Sequence, residues 1–261
     1  MALDIQQLRT SLSTRSRLGR LWKWGRTPKT IPIVLRAPAA LSNVEALLAL
    51  YPAVTRAQAA ACRMELLRNG RFFEELNRAL VEKRHSRTNC EGWHEFLYMV
   101  VRCAKPKVVF ETGVFDGLSS AVILQALHDN TGGLLVSIDL PAKEPIKGST
   151  NGMTNTTLPA DTPPGWIVPD YLRQRYQLVL GDSRELLPEL LREYSSIDIF
   201  FHDSLHTFDH QYFEYTTAWP HLVEGGLLLS DDIFWSAAFY RFSKEKRKRY
   251  LHIDGFGAMR K

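Results

Sequence analysis

Val108-Val109-Phe110-Glu111-Thr112-Gly113-Val114-Phe115-Asp116-Gly117-Leu118-Ser119-Ser120 is an apolar run, an acid, two glycines four apart, and small polar residues opening a helical pattern. It reads as a buried strand turning sharply into a helix, the place where an open α/β sheet receives a nucleotide-like ligand. Glycines let the backbone approach such a ligand closely, and the helix start offers amide donors. A dinucleotide site wants Gly-x-Gly-x-x-Gly, whereas this stretch is Glu111-x-Gly113-x-x-x-Gly117. That spacing demotes a nicotinamide-dependent oxidoreductase to the alternative reading.

Downstream, short apolar runs alternate with amphipathic segments: Val108–Phe110 then Ser119–Asp129, Leu134–Ile138, Gln177–Leu180 then Arg184–Glu193, Ile197–Phe201 then Phe208–Leu222, and Leu227–Ser230. The alternation predicts a doubly wound, mostly parallel sheet, and Tyr250–Ile253 with Phe256–Arg260 predict a closing antiparallel pair, which makes seven strands. Residues 140–170 break the rhythm with Pro, Thr, Gly and Asn. So long an irregular connection is expected to be a lid, with Trp166 too costly to leave in solvent.

Upstream lies a helical extension. Ser42-Asn43-Val44-Glu45 and Thr55-Arg56-Ala57-Gln58 have the form of capping boxes; Phe72, Phe73, Leu76 and Leu80 continue with helical spacing. A helix over residues 91–101 is stopped by Pro106 and carries Phe96, Val100 and Cys103 on one stripe. Three units follow: a basic, partly irregular arm over 1–40, a helical prefix over 41–87, and a ligand-binding domain over 88–261. The prefix is also a candidate surface for a homodimer.

The 261 residues are 45% hydrophobic, enough for a substantial core. The net charge of +5 is unevenly spread: residues 1–30 and 241–261 each carry +6, which leaves −7 on the 210 between them. An acidic body argues against a nucleic-acid groove. Leu18, Leu21, Trp22 and Trp24 among the N-terminal arginines suit weak contact with an anionic membrane surface, with a solvated arm or docked helix as the plainer alternative. No run reaches the roughly 20 apolar residues of a bilayer span, and the start lacks the apolar core of a signal peptide. Cys62, Cys90 and Cys103 are odd in number and unpaired in spacing, as expected of reduced thiols in a cytoplasmic protein.

Glu111-Thr112-Gly113 at the end of the first strand resembles the first motif of class I S-adenosylmethionine-dependent methyltransferases. Asp139, closing Leu135-Val136-Ser137-Ile138, stands where that family places the acid that accepts both ribose hydroxyls, and Gly181-Asp182-Ser183 resembles the adenine-contacting motif. The resemblance therefore implies a Rossmann-like fold with S-adenosylmethionine as cofactor, held by Glu111, Gly113, Phe115, Gly117, Ser119, Asp139, Asp182, Ser183 and Asp203. Acids suit the ligand chemically, since carboxylates accept vicinal hydroxyls and attract a sulfonium cation. Two plainer roles stay open: Glu111 as an anchor of the turn and Asp182 as the N-cap of the following helix.

His202-Asp203-Ser204-Leu205-His206 follows the fourth strand and Ser230-Asp231-Asp232 the fifth, so three carboxylates can converge at the sheet edge. Oxygen ligands without cysteine suit a hard cation such as Mg²⁺. The layout resembles metal-dependent O-methyltransferases of the catechol type, which implies Asp203, Asp231 and Asp232 as metal ligands. Where that pattern has a catalytic lysine this chain has His206, expected with Asp203 to be catalytic: the imidazole is a base near neutrality, with metal ligation or simple packing as its alternatives. Asp203 could instead touch only the cofactor amine. The whole series, with Gly165-Trp166 and Gly225-Gly226, resembles small-molecule methyltransferases of the macrocin and cephalosporin-biosynthesis kind, which implies O-methylation of a secondary metabolite or sugar. A non-catalytic binding protein on the same scaffold is the third reading.

Overall fold

The computed structural model describes residues 21, 31–140 and 157–261. The expected membrane-touching arm over 1–30, apart from Leu21, and the middle of the expected lid, 141–156, lie outside the described residues. Among the described residues no helix is long and apolar enough to cross a membrane.

Seven strands form one sheet: β1 (Val108–Thr112), β2 (Leu134–Asp139), β3 (Tyr176–Leu180), β4 (Ile197–His202), β5 (Leu222–Ser230), β6 (Tyr250–Ile253) and β7 (Phe256–Arg260). Their order is β3-β2-β1-β4-β5-β7-β6. β1 to β5 are parallel; β7 runs antiparallel between β5 and β6. Successive side chains point to opposite faces of a strand, so Val109, Leu135, Ile199 and Leu227 enter one core while Phe110, Val136, Phe200 and Leu228 enter the other. A sheet apolar on both faces needs helices on both, and the chain supplies them. The strand order reverses between β1 and β4, which opens the ligand crevice at their carboxyl ends. There Glu111 pairs with Ser137 and Phe201, and Thr112 with His202.

Within the arm expected to be partly irregular, residues 31–36 form a short helix, α1 (Ile31–Arg36). Pro32 sits in its first turn, where a missing amide hydrogen costs nothing, and Ile33 and Val34 are buried. Both capping boxes form, Ser42 with Glu45 on α2 (Asn43–Leu50) and Thr55 with Gln58 on α3 (Arg56–Leu67). Asn69 caps α4 (Gly70–Arg84) through the Phe72 amide, and His85 ends it in the left-handed conformation.

α5 (Trp93–Ala104) is buried over residues 95–101 rather than along one stripe. It is wedged between α3 and α6 (Leu118–Asp129), with Arg63 paired to Glu95 and Arg102 to Glu65. On the other face lie α7 (Ser183–Tyr194), α8 (Phe208–Ala218) and α9 (Ala238–Glu245).

Candidate functional site

The turn after β1 is sterically determined. Gly113 has φ 84°, and a Cβ there would lie 2.2 Å from the Asp203 carbonyl oxygen, because Asp203 N donates to Thr112 O (2.8 Å) and draws the turn after β4 against the turn after β1. Only glycine tolerates both the conformation and the approach. Glu111, fully buried, accepts from the hydroxyls of Ser119 (2.6 Å), Ser120 (2.5 Å) and Ser137 (2.6 Å). Burial pushes its carboxyl pKa up, and the three hydroxyls offset this only in part. Glu111 thus ties β1 to α6 and β2, and the Ser119 hydroxyl is spent on that anchor.

Asp139 stands at the rim of the crevice. Its Oδ2 accepts from the amides of Val114 (2.6 Å) and Phe115 (2.8 Å), among the described residues Oδ1 takes no hydrogen bond, and burial raises its proton affinity. Phe115 itself has φ 52°, rare for a residue with a Cβ, and its ring is exposed. Asp182 Oδ1 accepts from Arg184 N (2.8 Å), so it N-caps α7. Four exposed apolar side chains lie at or just beyond the carboxyl ends of β1 to β4 at this edge: Phe115, Leu140, Leu180 and Leu205.

Beneath the crevice lies Glu214 of α8, which has no exposed surface. Its Oε2 accepts from Thr112 Oγ1 (2.6 Å) and His202 Nδ1 (2.6 Å); its Oε1 accepts from Ser183 Oγ (2.6 Å), Ser204 Oγ (2.9 Å) and His210 Nε2 (2.9 Å). Burial alone would raise its pKa, yet the two imidazoles hold the carboxyl well below the usual range. Ser183 therefore faces this buried hub with its hydroxyl. The hub joins β1, β4, α7 and α8.

Beside it, burial pushes the Asp203 carboxyl well up, and the charges of Asp231 and Asp232 push it further. His206 Nε2 lies 3.7 Å from Asp203 Oδ1, too far for a hydrogen bond, and among the described residues no other group bonds it. Burial, then the neighbouring His202, lowers the His206 pKa to about 3, so the imidazole is neutral at physiological pH. Asp231 and Asp232 are close enough to act on Asp203, but among the described residues no three His, Cys, Asp or Glu side chains are gathered to hold a metal ion. As folded, the carboxylates expected to bind Mg²⁺ do not form an assembled ligand set.

Sequence reasoning missed Glu214, Arg84 and Asp116. Helical spacing offered no sign that Glu214 faces inward, and Arg84 and Asp116 read as ordinary surface charges. Trp166 was the one legible clue: half-buried, it donates from Nε1 to Asp116 Oδ1 (2.8 Å).

Residues 110–233 match a family model described as a methyltransferase domain. A comparison with curated proteins finds no match. Among solved structures, the chain is similar to an O-methyltransferase from Bacillus cereus in complex with SAH (15% identity, 78% of this chain and 97% of that one, TM-score 0.53). It is likewise similar to the O-methyltransferase TomG from Streptomyces achromogenes, involved in tomaymycin synthesis and in complex with SAM (15%, 78% and 95%, 0.53). A third similar structure is CalS11, a calicheamicin methyltransferase (20%, 78% and 92%, 0.51). At these identities the structures speak for the Rossmann-like fold alone. The strand order and the matched segment agree: residues 110–233 are similar to a methyltransferase domain, carried on a Rossmann-like sheet.

Proposed function

We propose that the protein transfers a methyl group from S-adenosylmethionine to a hydroxyl of a small molecule. The observation that carries this reading is the state of Asp139: one carboxylate oxygen fixes the strained cofactor turn and the other is left at the crevice rim, where two ribose hydroxyls can be received. The apolar rim suits the rest of the ligand, with Leu140 and Leu180 beside the acid available to a flat adenine. The negative charge of Asp203, Asp231 and Asp232 suits the sulfonium. When bound, S-adenosylmethionine supplies an electrophilic methyl group on a cationic sulfur.

What the chain contributes is position, exclusion of water and a proton acceptor. His206 presents a neutral imidazole whose Nε2 is buried and unbonded, a weaker base than the near-neutral one expected from the sequence because burial disfavours its charged form, and Asp203 beside it has raised proton affinity; these two groups can take the acceptor's proton. A divalent cation would first have to draw Asp203, Asp231 and Asp232 together. The acceptor class rests on the named neighbours, two of which belong to calicheamicin and tomaymycin chemistry, and on Leu205 and Trp235 flanking His206.

Calorimetry with S-adenosylmethionine and with NAD tests the cofactor. Binding of the first alone is expected, and binding of NAD with no response to S-adenosylmethionine would sink the proposal. Labelled S-adenosylmethionine incubated with fractionated small-molecule extract should then yield a methylated hydroxyl product. Binding without transfer to any fraction would favour the non-catalytic reading.

A further inference from the structure

Arg84 closes α4, in the helical prefix and outside the matched segment 110–233. Its guanidinium is turned inward onto the cofactor turn. Nε donates to Asp116 Oδ2 (2.9 Å), Nη2 donates to Asp116 Oδ1 (2.7 Å), and Nη2 also donates to the carbonyl of Thr157 (3.0 Å). Only 13% of the Arg84 side chain and 15% of the Asp116 side chain are exposed. The guanidinium carbon lies 5.0 Å from the centroid of the Phe115 ring. From the far side Trp166 donates to Asp116, and the amides of Gly165 and Ile167 donate to the carbonyls of Phe115 (2.9 Å) and Asp116 (3.2 Å).

Three stretches distant in sequence therefore meet on one carboxylate. An ion pair this buried contributes little net stability, because desolvating both charges offsets most of their attraction. Its consequence is conformational. Phe115 holds φ 52°, and that conformation turns its amide and the amide of Val114 toward Asp139. Without a restraint, a residue with a Cβ returns to negative φ and withdraws from that arrangement. Asp116, the next residue, is where the restraint is applied.

We propose that Arg84 is a positioning residue of the S-adenosylmethionine site: its fork on Asp116 holds Phe115 in the left-handed conformation that fixes the Asp139 carboxylate and the exposed Phe115 ring at the crevice. The inference rests on the reading that this crevice binds S-adenosylmethionine. It makes the prefix part of the binding site rather than a cover on the core.

The test is calorimetry with S-adenosylhomocysteine on the full chain. Arg84→Gln is expected to weaken binding about tenfold, on the scale of one charge-assisted hydrogen-bonded pair. Arg84→Lys, which keeps the charge and loses the fork, should fall between it and the unmutated protein. Trp166→Phe keeps the ion pair and removes one bond to Asp116, so a loss of about threefold is expected. Arg63→Gln is the control: it breaks the pair with Glu95 inside the prefix and should lower Tm while leaving S-adenosylhomocysteine affinity within about twofold. Hydrogen exchange should quicken at Val114 and Phe115 in Arg84→Gln and stay unchanged at Val109, a pattern that general destabilisation does not produce.

A folded Arg84→Gln that binds S-adenosylhomocysteine as tightly as the unmutated protein overturns the proposal. If that variant does not fold, unchanged affinity in Trp166→Phe does the same. An unmutated protein that fails to bind S-adenosylhomocysteine overturns the underlying reading instead.

Discussion

Replacing Glu214 by Gln keeps the shape of the side chain and removes the charge on which five donors converge, from Thr112, His202, Ser183, Ser204 and His210. Hydrogen bonds to a charged partner contribute about 1.5–3 kcal/mol each, but five on one carboxylate do not add, since each weakens the demand for the next. Breaking a buried charged network from one side costs about 3–5 kcal/mol, and the glutamine oxygen can still satisfy one or two donors. The lower end, about 3 kcal/mol, is therefore expected. Against a domain stability of about 5–15 kcal/mol, that is a large fraction.

Urea unfolding followed by circular dichroism reads the loss as a lowered midpoint at constant slope. The pH dependence has a defined sign. Glu214 is held below its ordinary value of 4.5 in the folded protein, so its contribution is complete above that pH and is lost as acid protonates the folded state. The gap between the two proteins should be widest at neutral pH and narrow below about pH 4. A loss under about 1 kcal/mol at neutral pH, or a gap that widens in acid, would refute the idea that an ionised Glu214 organises the crevice.

Gly113→Ala places a Cβ 2.2 Å from the Asp203 carbonyl oxygen and should both destabilise the fold by about 2 kcal/mol or more and abolish detectable S-adenosylhomocysteine binding; a stable variant that binds normally contradicts the steric argument. Asp231→Asn removes a like charge that raises the Asp203 pKa; since an acid with raised folded pKa loses stability as pH rises, the variant should gain about 0.5–1 kcal/mol near neutrality, read as a higher Tm. No gain would mean that the two carboxylates do not feel each other. Once an acceptor is in hand, His206→Ala should lower turnover about 100-fold with S-adenosylhomocysteine affinity unchanged; equal turnover removes His206 from proton transfer. Leu180→Ala, at an exposed position, should leave Tm unchanged and weaken S-adenosylhomocysteine about threefold; unaltered affinity places the adenine elsewhere.

Local signals carried far in this chain. Both capping boxes and the closing strands Tyr250–Ile253 and Phe256–Arg260 were readable because each depends on residues within a few positions. Some limits of that reading are equally physical. α9 opens on Ala237 with no capping side chain, so the sequence offers no start signal for it. α8 buries the polar side chains His210, Gln211 and Glu214 together with Tyr215 and Ala218, and nothing local in the sequence marks that face as inward.

The sequence by itself determined the doubly wound sheet, the glycine turn after β1 and the position of Asp139, because alternating apolar runs, strand ends and glycine spacing are written in consecutive residues. Tertiary structure alone decided what the charged groups do. Arg84 and Asp116 are 32 residues apart, and Glu214 meets a threonine 102 positions away, so their burial and pairing exist only once β1, β4 and the helical prefix are packed together. A carboxylate's role depends on the donors and charges around it, and those come from elsewhere in the chain.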